Sequence, residues 1–146
     1  MKLRTFLAGA LVYLVATFPL AFIWHLVAFK NIYTELGYFD GGDPIVALGF
    51  FTILFQGLIL SHVYPFFDRG GRRVWEGLKF GLLMGAFLWS SQVLADAAKH
   101  HVPPVAEWFA IETAYFAIQF SVVGLAMAWV YRRAPGLSAG TSSHGL

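Results

Sequence analysis

The chain has 146 residues, 58% of them hydrophobic and 12% charged, with a formal net charge of +2 and no cysteine. Water-soluble domains carry about a quarter charged residues. That contrast and a mean hydropathy of +0.66 exclude an ordinary soluble globule as the first class to test. The missing thiols exclude disulfides, thiolate metal sites and thiol redox chemistry, and so small a net charge gives no reason to read nucleic-acid binding.

Four apolar runs follow in chain order: Phe6–Phe29, Pro44–Phe67, Val74–Ala98 and Val105–Tyr131. Each is long enough to cross a hydrocarbon core, which takes about 20 helical residues. Backbone polar groups in lipid must be paired inside the protein, so the runs must be helices. The aromatic content does not argue for a barrel, whose strands are short and alternate. The expected fold is therefore all-α, a single four-transmembrane-helix bundle over residues 1–133, followed by a flexible tail over 134–146 that is rich in Gly and Ser.

The first run follows Lys2 and Arg4. It is longer than the apolar core of a secretory signal peptide and no clean small-x-small cleavage site follows it, so it reads as a retained helix. Pro19 removes a hydrogen bond to the Val15 carbonyl and predicts a kink. The loop "KNIYTELGYFDGGD" comes next, turning at Gly41-Gly42. The second run ends at "DRGGRR". The third run ends at "KHHVPP", where Pro103-Pro104 stops one helix and starts the next.

Basic residues set the orientation. Lys2, Arg4, Arg69, Arg72, Arg73, Lys79, Arg132 and Arg133 all fall on one side of four crossings, with Lys30 and Lys99 on the other. Glu35, Asp40, Asp43, Asp96, Glu107 and Glu112 fall on or near that other side. The expectation is an integral protein of a bacterial inner membrane with both termini cytoplasmic. Trp75, Trp108, Trp129, Tyr33, Tyr38, Tyr64 and Tyr131 lie near run ends and are expected to form an interfacial aromatic belt.

Two segments echo one another. Ala21-Phe22-Ile23-Trp24 matches Ala86-Phe87-Leu88-Trp89, and Phe55-Gln56 matches Ile118-Gln119, which suggests a parallel two-helix duplication set against chance likeness between Phe-rich helices.

Gly77, Gly81 and Gly85 form a ladder of four-residue spacing, continued by Trp89, which lets a neighbouring backbone approach closely. A second small-residue ridge is expected at Ala106, Ala110, Ala114, Ala117, Ser121, Gly124 and Ala128. Gln56, Gln92 and Gln119 sit inside the last three runs. They read first as hydrogen-bonded glue between helices and otherwise as the lining of a polar path.

The ionisable residues near the acidic boundary are the candidate site. Asp96 and His100, four apart, share a helix face, and His25 and Glu112 fall at similar depth. Ordinary interfacial pairing explains these groups first. The functional alternative is a transition-metal or proton site, because charge at membrane depth is expensive and defaults to function. No HExxH, GxSxG, Walker-type or GxGxxG motif is present. His62 lies near the other end, so a haem held by His25 and His62 is excluded.

The segments "FIWHLVAFKNIYTELG", "GLKFGLLMGAFLW" and "EWFAIETAYFAIQFSVVGLAMAWVY" resemble small bacterial four-helix membrane proteins grouped as domains of unknown function. The likeness covers about residues 6–131. It implies four helices and transfers no catalytic residue. The acidic residue in helix 1 of small multidrug transporters is missing, as are the intrahelical Arg and Glu of glutathione-using four-helix enzymes. The expected function is a non-catalytic accessory or scaffold subunit, packing on other membrane helices or on its own copies, with membrane lipids around it. Cofactors are not expected beyond lipid or pigment contacts. The alternative is a small transporter or membrane enzyme using His25, Asp96, His100 and Glu112.

Overall fold

The computed structural model describes residues 2–37, 44–67, 72–99 and 105–131. Among them every regular element is helical. Helix α1 (Leu3–Ile23) runs into a π-helical turn (Trp24–Ala28) and then a short α2 (Lys30–Glu35). Next come α3 (Val46–Phe67) and α4 (Arg73–Trp89). A second π turn (Ser90–Leu94) leads to α5 (Ala95–Lys99), and α6 (Val105–Val130) closes the order. Four spans are long and apolar enough to cross a membrane: Leu3–Ala28, Val46–Phe67, Arg73–Ala98 and Ala106–Val130.

The helices run up and down. The start of α1 meets the end of α3, where the Ser61 hydroxyl donates to the Phe6 carbonyl at 2.6 Å. The end of the first span meets the start of α6 at His25 and Glu112. Both termini of the described chain thus lie at one end. That end carries Lys2, Arg4, Arg72 and Arg73, and is called the basic end below. Glu76 also lies there and pairs with Lys79 at 3.4 Å on the surface. Glu35, Asp96, Glu107 and Glu112 mark the opposite, acidic end.

Outward faces are apolar. Leu3, Leu7, Leu11 and Val15 are exposed at every fourth position of α1, as are Phe51, Phe55 and Ile59 of α3. Such stripes are compatible with the lipid-facing surface of a membrane helix. With lipid outside as apolar as the core, close packing must supply the contacts between helices. Two interfaces show how this is done.

The first joins α4 to α6. A Cβ placed on Gly77 would come within 2.7 Å of the Ala128 Cβ, and one on Gly85 within 2.8 Å of the Phe120 Cβ. A Cβ on Gly81 would collide with the Phe120 carbonyl, and one on Gly124 with the Gly77 carbonyl. The glycine ladder therefore packs on α6 of the same chain. The second joins α1 to α3, where a Cβ on Gly57 would lie 3.0 Å from the Ala10 carbonyl oxygen and 3.1 Å from the Tyr13 ring. Helix α1 also packs on α6, whereas α3 and α4 meet chiefly near the basic end, where Tyr64 and Phe67 sit edge-on against Phe80 at 4.9 and 5.4 Å.

Two expectations need correction. Ala106, Ala110, Ala114 and Ala117 are exposed, and only the Gly124–Ala128 end of that ridge is buried. A stripe spaced by four drifts ~40° per step around a helix of 3.6 residues per turn, so one ridge does not face one neighbour over its whole length. Tyr33, Tyr64 and Trp108 are buried, at 2%, 2% and 4% exposure, and are core rather than belt. Trp75 and Trp129 are exposed at helix ends. Pro19 lies inside α1, whose helical assignment runs on to Ile23. The irregular turn comes later, at Trp24.

Both echoing segments run into a π turn: Ala21-Phe22-Ile23-Trp24 into Trp24–Ala28, and Ala86-Phe87-Leu88-Trp89 into Ser90–Leu94. The Gly41-Gly42 turn, Asp40, Asp43, Tyr38, Arg69, His100, Pro103-Pro104, Arg132, Arg133 and the tail over 134–146 lie outside the described residues.

Candidate functional site

All four spans line a cavity of about 520 Å3 at the acidic end. Helix α1 and its π turn contribute Phe18, Phe22 and His25, and α2 contributes Tyr33. The start of α3 adds Ile45, Val46 and Ile53. Ser91, Gln92 and Asp96 come from the second π turn and α5, and Trp108 and Glu112 from α6. Small-molecule sites span ~300–1,000 Å3, so this cavity is of ordinary ligand size.

Local backbone geometry places its key side chains. The Trp24–Ala28 turn is wide, with the Phe29 N–H bonded back to the Trp24 carbonyl at 3.0 Å. Such π turns redirect side chains and are frequent at functional sites. Here the His25 ring turns back on its own helix and its Nδ1 lies 2.9 Å from the Ala21 carbonyl oxygen. The chain then re-enters as α2, which buries Tyr33 against the His25 ring at 5.0 Å between centroids. Tyr115 of α6 meets the same ring edge-on at 4.7 Å.

The proton count at His25 follows from this geometry. A carbonyl only accepts, so Nδ1 carries a hydrogen. His25 Nε2 lies 3.5 Å from Glu112 Oε1, and Tyr33 donates its hydroxyl hydrogen to the same oxygen. A bare Nε2 lone pair facing a bare carboxylate would be repulsive. The approach is favourable when one proton is held between them, whether as imidazolium with carboxylate or as imidazole with carboxylic acid. Glu112 is 8% exposed, and a lone charge at that burial would be costly. A proton shared between them would make the pair neutral, and Tyr33 supplies a further donor.

Behind this pair the cavity continues into a deeper chamber of about 230 Å3, which shares His25, Gly49, Ile53, Gln92 and Glu112 with it. Gln56, Gln92 and Gln119 all line the chamber, with Thr17 and Thr52. Tyr13 joins two of the amides: its hydroxyl donates to Gln56 Oε1 at 2.9 Å and accepts from Gln119 Nε2 at 3.4 Å. Glue and lining are thus the same residues. Gln56 and Gln119 tie α1, α3 and α6 through Tyr13, while Gln92 is exposed to the open space.

Of the candidate cluster, the structure brings His25 and Glu112 into contact and sets Asp96 on the wall of the same cavity. His100 lies outside the described residues. Among the described residues no three His, Cys, Asp or Glu side chains converge in a way that could hold a metal ion. His62 is exposed on α3 with its ring against Phe66 at 5.9 Å, away from the site.

Sequence reasoning missed Tyr33, Tyr13, Thr17 and Trp108. One signal for Tyr13 and Thr17 was present: Tyr13, Thr17 and His25 fall on a single four-residue register of an otherwise apolar helix, a polar stripe aimed at the core. Tyr33 had no such signal, because it reaches the site only through the π turn and α2. Neither protein-family models, nor curated proteins, nor solved structures give a match to this chain.

Proposed function

We propose that this chain is a small proton-linked carrier or transporter, which receives a small molecule in the cavity at its acidic end and holds one exchangeable proton on His25 and Glu112. The observation that carries this reading is a buried carboxylate on the wall of a ligand-sized cavity, flanked by an imidazole and a tyrosine hydroxyl. A purely structural ion pair needs neither an adjoining cavity nor a polar chamber beneath it. The glycine ladder packs on α6 of the same chain, so that face does not serve an external partner.

The chain is taken to be an integral protein of a bacterial inner membrane, with the basic end cytoplasmic by the positive-inside rule. The paired π turns after the two Ala-Phe-x-Trp segments support a duplicated helical hairpin, with the cavity between its copies. Membership of the four-helix group of unknown function fits this layout.

Nitrogen-15 NMR of histidine-labelled protein in lipid tests the central point, with His25→Asn identifying the signal. The expected spectrum has Nδ1 protonated at every pH and a proton exchanging at Nε2. A neutral ring carrying its hydrogen on Nε2 alone would remove the basis of the reading.

A second reading, an accessory subunit or homo-oligomer, is favoured by one observation. Ala106, Ala110, Ala114 and Ala117 present small side chains on an exposed face of α6. Native mass spectrometry from lipid discs separates the two, since a stable partner or second copy is expected only on the second reading.

A further inference from the structure

We propose that the cavity selects amphiphilic organic cations and that the bound cation displaces the proton shared by His25 and Glu112. This rests on the carrier reading above and names its substrate class.

Charge and shape of the cavity select the ligand class. Among the described residues no Lys or Arg lines the cavity, so an anion would meet no fixed positive side chain there. An inorganic cation finds no set of three donors among the described residues and would face walls of Phe22, Ile45, Val46 and Ile53. Those walls suit an apolar body. The rings of Phe18, Tyr33 and Trp108 suit a cationic one, because aromatic faces attract positive charge. An organic cation satisfies both demands and places its charge where the shared proton was.

The exchange balances. The cation enters, one proton leaves to water, and His25 remains neutral with Nδ1–H on the Ala21 carbonyl while Glu112 becomes the counter-ion. Net charge in the site is unchanged, so the buried carboxylate is never left without a positive partner. The titratable groups facing the pair are Tyr33 from α2, Tyr115 from α6 and Asp96 from α5 on the adjoining wall. The described part of α3 contributes no ionisable group to the cavity.

The test uses full-length protein in lipid nanodiscs, with empty discs as the background. Tetraphenylphosphonium is a fixed cation, tetraphenylborate is its anionic match in shape, and triphenylphosphine oxide is a neutral comparator. The phosphonium is expected to bind with an affinity that rises up to about tenfold per pH unit until the pair has lost its proton, releasing about one proton per cation in weak buffer. The borate is expected to show no binding above the empty disc. Glu112→Gln keeps an acceptor for Tyr33, and is expected to lose the pH dependence and at least about tenfold in affinity.

Binding of the phosphonium that is independent of pH, equal binding of the borate, or unchanged binding by Glu112→Gln would each overturn the proposal. The wild-type pH series decides it even if the variant folds poorly. Should the neutral phosphine oxide bind as tightly as the cation while histidine NMR shows the shared proton, the cation class falls and the carrier reading stands. Should no probe bind and the ring carry its hydrogen on Nε2 alone, both fall.

Discussion

The two ends of this bundle are built by opposite means. At the basic end, glycines bring backbones together and aromatic rings close what space remains. At the acidic end, two π turns and an inserted short helix hold the same four spans around a cavity. The basic end also carries a three-helix clamp, in which the Ser61 hydroxyl donates to the Phe6 carbonyl at 2.6 Å and the Tyr131 hydroxyl donates to the Ser61 carbonyl at 2.5 Å. Polar groups there are consumed by one another. At the acidic end they border open space. Membrane helices have no hydrophobic drive to close a gap between them, so a bundle keeps a cavity wherever its sequence withholds small residues at the contact.

Substitution can break this comparison, and the largest effect is expected at the glycine contacts. Gly81→Leu forces a side chain into the Phe120 carbonyl and is expected to lower stability by roughly 3 kcal/mol or more, read as lost folded yield or a large fall in thermal unfolding temperature in detergent. Equal behaviour of this variant and wild type would show that the α4–α6 contact does not hold the bundle. Next comes the clamp. Tyr131→Phe removes the hydroxyl that joins α6 to α3, with an expected loss of about 0.6–1.7 kcal/mol in reversible unfolding.

Tyr33→Phe at the acidic end removes one donor from Glu112. It is expected to lower stability by about 1 kcal/mol in the same unfolding assay and to shift the Glu112 carboxyl stretching band in the infrared spectrum. An unmoved band would deny the bond. The smallest effect is expected at Gly49, where a Cβ meets nothing within 4 Å. Gly49→Ala is expected to change stability by less than about 0.5 kcal/mol in the same unfolding assay, because it faces the cavity and not a neighbouring backbone.

How much of this was legible in the sequence differs between the same two ends. Apolar length alone reveals four spans, and charge asymmetry separates the basic from the acidic residues. Three glycines in register identify the α4 face, but Gly9 is the lone glycine of α1 and Gly57 is eight residues from Gly49 in α3, so neither gives a ladder to read. Depth counting placed His25 and Glu112 together, since each is a fixed rise from a helix end. Tyr33 escaped because its position depends on how the chain turns after α1, and a π turn has no strong local signature. Similarly, the alanine ridge of α6 was over-read, because spacing of four describes a winding stripe rather than a flat face.

Each π turn accommodates one residue more than the α-helical turn it replaces. Removing a single residue inside Trp24–Ala28 or Ser90–Leu94 would therefore leave the flanking helix in phase on both sides. A deletion anywhere else in those spans would rotate everything beyond it by ~100° and carry buried groups into lipid. The two wide turns are thus the places where these spans tolerate a change of length. Chains of common ancestry that differ by one residue in the first or third span are expected to carry their alignment gap there.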